Sequence, residues 1–340
     1  MYSKIAYLGK GAHTVNLNRY LLFMKTYDFK ESKNIKFLYN KKTIILITDN
    51  CDLFSQLKII INSLFYKQSI IIYWNLEIYL ISFKFYFEEL LSIPQISKKI
   101  LSTLKFIIFW MPKIFLNKVI ISRSNSILIL SSEERKKIIL HKNKIHPDNV
   151  YVLRNKPVQI NYESYLNDIT LKKFSNFIST RYFFLPGSIN NIEDFNIIVN
   201  YSIENDYNII LATSDNNIID KIIHKKKNVI NIGIVPNYLI QYLISKCTAG
   251  ICLYRNNTSN QKLSASSKLF EFLYFNKPLI VSRNTGVLSE LKNIYYENFS
   301  LVDNLKEFHL NTNFGMYNEH MLFKNDLMSL NNTIFFKSII

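Results

Sequence analysis

The chain has 340 residues, 48% of them apolar, with only 7 Gly and 7 Pro, which excludes a disordered or collagen-like polymer and suits two domains of ordinary size. Its formal charge is +17, of which residues 1–156 carry +15 and residues 157–340 only +2. That asymmetry points to an anionic partner for the first half, although richness in Ile, Asn, Lys and Tyr is also what an AT-rich coding bias produces.

In chain order, short apolar β-branched runs predict strands at Lys4–Leu8, Thr43–Thr48, Ser69–Tyr73, Ser126–Ser131 and Asn149–Leu153. A second series follows at Arg181–Leu185, Asn208–Thr213, Asn228–Ile232, Ala249–Tyr254 and Pro278–Ser282. Continuous apolar runs suit strands covered on both faces, as in parallel sheets flanked by helices. The βα alternation occurs twice, so the expected fold class is α/β, with two Rossmann-like doubly wound domains facing a cleft. The weakly periodic stretch around Lys156–Leu171 separates the series. The expected domains are residues 1–158 and 159–310, with a helical tail, 311–340, packing back toward the first. Ligands of such sheets sit beyond the carboxyl ends of the strands.

No signal peptide is read in residues 1–24. The most apolar stretch, residues 100–121, is interrupted by Lys105, Pro112, Lys113 and Lys118 and does not read as a membrane span. Cys51, Cys247 and Cys252 lack metal or redox spacing and read as small core residues in a reducing compartment. No pair of His or acidic residues has metal-ligand spacing, so neither metal nor cofactor is expected.

The segment S-S-K-L-F-E-F-L-Y-F-N-K-P-L-I-V-S, residues 266–282, predicts a helix over Lys268–Phe275, a left-handed stop at Asn276 and a strand opened by Pro278. A helix N-terminus after a strand loop suits a phosphate, and Lys268 adds a cation there. Glu271 carries two acceptor oxygens suited to vicinal hydroxyls. On spacing alone, Lys268 and Glu271 read first as an i,i+3 ion pair on a solvated helix face.

The longer text, S-S-K-L-F-E-F-L-Y-F-N-K-P-L-I-V-S-R-N-T-G-V-L-S-E-L, resembles the nucleotide-sugar segment of the glycosyltransferase family 4 group. Residues 228–254 and Ser131–Pro157 resemble further family segments, in the right order. The resemblance implies a GT-B architecture and transfer from a nucleoside diphosphate sugar, with residues 1–158 on the acceptor side and 159–310 binding the nucleotide sugar. It implies that Glu271 binds the ribose, that Ser267 and Lys268 lie near the diphosphate, and that Gly187 and Ser188 line the phosphate side. Thr285, Gly286 and Val287 would offer backbone N–H groups, with Glu290 supporting their loop. Gly9 and Gly11 would form the glycine loop of the first domain. Three departures stand out. The family's first Glu is replaced by Leu263, a basic pair by G-S-I-N-N-I-E-D, and the usual His by Y-W-N-L-E, where Asn75 or Glu77 takes its place.

His13, in G-K-G-A-H-T, joins Asn75 and Glu77 as a catalytic candidate, the alternative being a solvated loop histidine. In residues 97–121, Lys98, Lys105 and Lys113 accompany Phe106, Ile107, Phe109, Trp110 and Phe115. Lysines beside aromatic rings are what an interfacial helix presents to anionic headgroups, and a core helix with a lysine stripe is the alternative. The expected partners are thus a nucleoside diphosphate sugar, a lipid-linked or glycan acceptor and an anionic membrane surface. The expected location is cytoplasmic, peripheral on the inner face of the membrane. Lysine dominates the charge and no recognition helix or stacking motif stands out, so no nucleic acid is expected.

Overall fold

The computed structural model describes residues 3–7, 23–25, 27–31, 43–49, 51–65, 69–75, 77–142, 145–154, 172, 174–189, 191–214, 226–254, 256–264, 266–294 and 296–307. They form two compact units. The first contains Met1–Asn155 and, from far along the chain, Asn257–Ser264; the second contains Lys156–Asn256 and Ala265–Glu319.

The first unit is built on β1 (Ser3–Tyr7), β2 (Lys30–Glu31), β3 (Thr43–Thr48), β4 (Ile70–Trp74), β5 (Ser126–Leu130) and β6 (Val150–Val152). They lie in the order β2-β1-β3-β4-β5-β6, every pair parallel. The central runs T-I-I-L-I-T, I-I-I-Y-W and S-I-L-I-L are buried at every residue. Because successive side chains point to opposite faces, Ile45, Ile47, Ile71 and Tyr73 feed one core while Ile44, Leu46, Ile70, Ile72 and Trp74 feed the other. Between the strands run α1 (Leu53–Phe65), α2 (Phe83–Leu91), α3 (Ile96–Lys105), α4 (Met111–Ile121) and α5 (Glu133–Lys142). A π-helical turn, Phe106–Trp110, joins α3 to α4. Pro112 therefore falls in the first turn of α4, where its missing N–H costs nothing, and the helix continues past it.

The second unit has β7 (Tyr182–Pro186), β8 (Asn208–Ala212), β9 (Val229–Asn231), β10 (Ala249–Cys252), β11 (Leu279–Val281) and β12 (Phe299–Leu301), ordered β12-β11-β10-β7-β8-β9 and all parallel. Its helices are α6 (Ser175–Ile178), α7 (Ile192–Glu204), α8 (Asn237–Lys246), α10 (Ser267–Tyr274) and α11 (Thr285–Asn293). The intervening short α9 (Ser259–Lys262) belongs to the first unit. Relative to the unit's own first strand, β7, the sheet has the doubly wound order in which direction reverses between first and fourth strands. That switch point lies between β7 and β10.

All ten expected strands are present within about two residues; β2 and β12 are additional. Cys51, Cys247 and Cys252 are buried thiols. The expected tail, 311–340, lies outside the described residues.

Candidate functional site

At the switch point, β7 ends in Pro186 and the chain turns through Gly187, whose φ of 90° lies in the left-handed region. β10 leads to Tyr254, and after the excursion of α9 the chain returns to start α10 at Ser267. α10 docks closely because β10 carries Gly250 where any Cβ would lie 2.4 Å from the Phe272 ring. Phe272 itself is fully buried, edge-on to Phe184 of β7. The helix stops as its sequence dictates. Asn276 takes φ 49°, its N–H reaches Leu273 O (2.9 Å), and Lys277 N–H reaches Phe272 O (3.0 Å).

The start of α10 is chemically open. Ser266 is the N-cap, yet its side chain caps nothing; its hydroxyl lies 2.9 Å from the Tyr254 hydroxyl. The first-turn N–H groups have no carbonyl partner within the helix, and the dipole leaves partial positive charge there. Lys268, in the same turn, bends back over Gly187: a Cβ on that glycine would stand 2.1 Å from Nζ and 2.8 Å from Cε. Gly187, Ser267 and Lys268 are thereby brought to one place, with Ser188 exposed beside them. Glu271, one turn on, is nearly buried. Burial pushes the Cys252 thiol up to about 12, with Lys268 opposing the rise and Glu271 adding to it.

The neighbouring loop is organised differently. Asn284 caps α11 by accepting the N–H of Val287 at 3.1 Å. Its amide also donates to Asn256 Oδ1 at 3.0 Å, and Asn256 donates to the Arg283 carbonyl at 2.6 Å. The N–H of Val287 is therefore spent inside the protein, a correction to its expected role. Thr285 and Gly286 hold the first two helical positions, whose N–H groups lack intrahelical carbonyls. Glu290 is fully buried within α11.

In the first unit, Asn75 and Glu77 follow β4. Asp49, 5% exposed at the end of β3, accepts the Tyr73 hydroxyl (2.8 Å), the Asn75 amide (2.8 Å) and the Glu77 N–H (3.0 Å). The Asn75 amide also donates to the Glu77 carbonyl at 3.1 Å. Asn75 is fully buried, so it cannot meet a substrate directly. The Glu77 carboxylate accepts Asn260 Nδ2 at 2.7 Å and stands 3.7 Å from Arg135, with 43% of its side chain exposed. Asn260 in turn accepts from Arg135 (3.0 Å) and Ile78 N–H (3.3 Å). Thr258 donates to Glu89, and Ser259 N–H to Glu88 at 3.0 Å. Leu263 is buried in the core with Ile45, Leu130 and Ile139. It cannot present a group to a ligand as the family's first Glu would, because an apolar residue there anchors α9 to the first unit.

Among the basic-aromatic residues, Lys98 and Lys105 are exposed, as are Ile107, Phe109 and Phe115. Lys113 is not with them. Its ammonium turns inward to the Asp49 carbonyl, and burial lowers its pKa against the opposing pull of Asp49. Phe106 is buried between Phe83, Tyr86 and Phe87. Trp110 is half-buried, 5.3 Å from the Lys113 ammonium. His13, Gly9 and Gly11 lie outside the described residues. Among the described residues no group of three or more His, Cys, Asp or Glu could hold a metal ion, and no helix is long and apolar enough to cross a membrane.

Sequence reasoning missed Asp49 and Asn260. Asp49 had a signal, standing directly after the strand run T-I-I-L-I-T at its carboxyl end. Asn260 had none.

No protein-family model matches the chain, and no curated protein sequence does. Solved structures do. Anabaena HepE in complex with UDP-glucose superposes with a TM-score of 0.55 at 10% identity, covering 97% of this chain and 100% of that one. WaaG, a glycosyltransferase involved in lipopolysaccharide biosynthesis, gives 0.51 at 7% identity, covering 97% and 90%. The UDP-GlcNAc 2-epimerase from Neisseria meningitidis, bound to UDP-GlcNAc, gives 0.50 at 12% identity, covering 97% and 100%. The chain has the GT-B fold. At these identities the likeness establishes the fold, and chemistry has to be argued from the site.

Proposed function

We propose that the chain is a glycosyltransferase that moves a sugar from a nucleoside diphosphate sugar to a lipid-linked or cell-surface glycan acceptor, in polysaccharide, lipopolysaccharide or capsule assembly. One observation carries the reading: the N-terminus of α10 lacks a side-chain cap and holds the Lys268 ammonium over Gly187. Negative charge builds on the leaving diphosphate in the transition state, and prepositioned N–H dipoles plus a fixed ammonium stabilise it there. These groups supply the positive charge a metal would otherwise bring, so the reaction is proposed to be metal-independent. Glu271 takes the ribose hydroxyls. Thr285 and Gly286 donate near the sugar. Glu77 accepts a hydroxyl proton or hydrogen bond on the acceptor side, in the place where the family carries His. Retention of anomeric configuration is proposed from the family resemblance.

The test is nucleotide-sugar binding followed by transfer. UDP- and GDP-sugars should raise the unfolding temperature, and Glu271→Ala should abolish both that shift and transfer. A chain that none of these donors stabilises would not be a transferase of this kind. The location of Leu263 in a core favours one second reading, a catalytically impaired GT-B partner at the membrane surface; donor binding without transfer to any glycan acceptor is its signature. Donor conversion without an acceptor would instead indicate epimerase-like chemistry.

The membrane is proposed as the second partner, with the protein peripheral on its cytoplasmic face. From Ile96 to Phe115, nine large apolar side chains on α3, the π turn and α4 are at least 47% exposed, and Lys98 and Lys105 flank them. Apolar side chains beside lysines match an acyl boundary under anionic headgroups. Flotation with phosphatidylserine vesicles at low salt checks this, and no binding there rejects it.

A further inference from the structure

We propose that Asp49, acting with Asn75, is a positioning residue that aims the Glu77 carboxylate; this rests on the reading of Glu77 as the acceptor-side carboxylate. The backbone of Glu77 is held from both sides. Its N–H donates to Asp49 Oδ2 at 3.0 Å, and its carbonyl accepts the Asn75 amide at 3.1 Å. The same amide donates to Asp49 Oδ1 at 2.8 Å, so Asp49, Asn75 and the Glu77 peptide close a ring of hydrogen bonds. The Tyr73 hydroxyl adds a further donor to Asp49 at 2.8 Å.

Two features say this ring is more than filler. Asn75 is fully buried and its Oδ1 meets no donor. An orphaned buried carbonyl is costly. Rotating the amide would satisfy nothing, since it would set that oxygen against Asp49 Oδ1 and the Glu77 carbonyl. The fold therefore keeps one unsatisfied atom in order to hold both others. The second feature is charge. Asp49 is buried, and the Lys113 ammonium donates from α4 to the Asp49 backbone carbonyl. A buried ion retained beside a surface-facing carboxylate suits a part that must stay rigid.

The consequence falls on the side chain of Glu77. Its backbone is fixed on one side by Asp49 and Asn75, and its carboxylate on the other by Asn260 and Arg135. Misplacing a reacting group by about 1 Å can cost roughly a hundred-fold in rate. Loosening the ring should therefore lower turnover while leaving donor binding, which the second unit carries, intact.

Asp49→Asn is nearly isosteric and leaves one acceptor oxygen where two were used. Asn75→Leu keeps the bulk and removes both the clamp and the orphaned oxygen. In each variant that folds, kcat should fall ten- to a hundred-fold, with donor KM and the UDP-induced thermal shift within two-fold of wild type. Amide hydrogen exchange at Glu77 should accelerate at least ten-fold beyond any change in globally exchanging amides. This arm needs no turnover, so a chain that transfers nothing still tests the clamp. Wild-type kcat in both folded variants, or an unchanged Glu77 exchange rate, overturns the proposal. So does a parallel fall of kcat, UDP shift and global stability, which is what a merely structural role predicts.

Discussion

Gly187→Ala isolates the contact on which the proposed donor site depends. The substitution has two separable consequences. Alanine at a φ of 90° is strained, at a cost of about 1–2 kcal/mol of stability. The new Cβ would also stand 2.1 Å from the Lys268 ammonium nitrogen, against an ordinary contact of at least 3.4 Å. Lysine is flexible, so Nζ retreats by roughly the difference, about 1.3 Å. Take a phosphate charge about 4 Å from Nζ at an effective dielectric of about 20. The attraction falls from about 4 to about 3 kcal/mol as the separation grows to about 5.3 Å. Lys268 is partly open to solvent, so screening trims the loss to about 0.6–1 kcal/mol, a three- to five-fold weaker donor. Calorimetric titration of a nucleoside diphosphate sugar into Gly187→Ala, Lys268→Met and the double variant measures it. Lys268→Met should weaken binding at least about ten-fold. On that background Gly187→Ala should cost no further affinity, because the group it displaces is gone. Equal weakening by Gly187→Ala with and without Lys268 would refute the reasoning, since the glycine would then act through something other than the ammonium.

Four further outcomes follow from the same geometry. Gly250→Ala overpacks Phe272 and should destabilise the second unit by about 1–3 kcal/mol, with donor affinity falling as α10 is pushed from the sheet; chemical unfolding and titration together check it. Leu263→Glu, which writes the family's missing carboxylate back in, should not raise activity. It buries an unpaired carboxyl among Ile45, Leu130 and Ile139 and should cost at least about 3 kcal/mol by urea unfolding. Glu89→Gln reports on pH. Burial first, then the neighbouring charges of Glu77 and Glu88, raise the Glu89 pKa against the hydrogen bonds of Thr258 and Asn260. A carboxyl whose folded pKa is raised contributes stability at low pH and loses it as pH rises through that pKa. The variant should match wild type in acid and become the more stable of the two as pH rises toward neutrality; a gap that narrows instead contradicts the assignment. Phe109→Asp with Ile108→Asp should abolish vesicle flotation while leaving transfer to a soluble acceptor within two-fold, and flotation equal to wild type would place the membrane contact elsewhere.

What could be read from the text and what could not divides along a physical line. The strands were legible because a parallel strand covered on both faces has no polar alternative, so T-I-I-L-I-T and I-I-I-Y-W announce themselves. The end of α10 was legible for a local reason too: Asn276 tolerates the left-handed turn and Pro278 forbids further helix. The nearness of Gly187 and Lys268 follows from the same kind of signal, since strand ends and helix starts are fixed locally. The spent N–H of Val287 was within reach, since Asn284 stands three residues before it in a capping position. The α9 excursion was not. Asn260 meets Glu77 across 183 positions, and nothing around Thr258–Ser264 distinguishes a segment that stays with its neighbours from one that joins another unit. Leu263 and the Asn75–Glu77 stretch, where the sequence departs from the pattern it resembles, are connected there. One short segment carries both Leu263 into the first unit's core and Asn260 to the Glu77 carboxylate. The two features are thus structurally coupled: an apolar residue at 263 seats the segment in the first unit, and an amide three residues earlier fixes the Glu77 carboxylate.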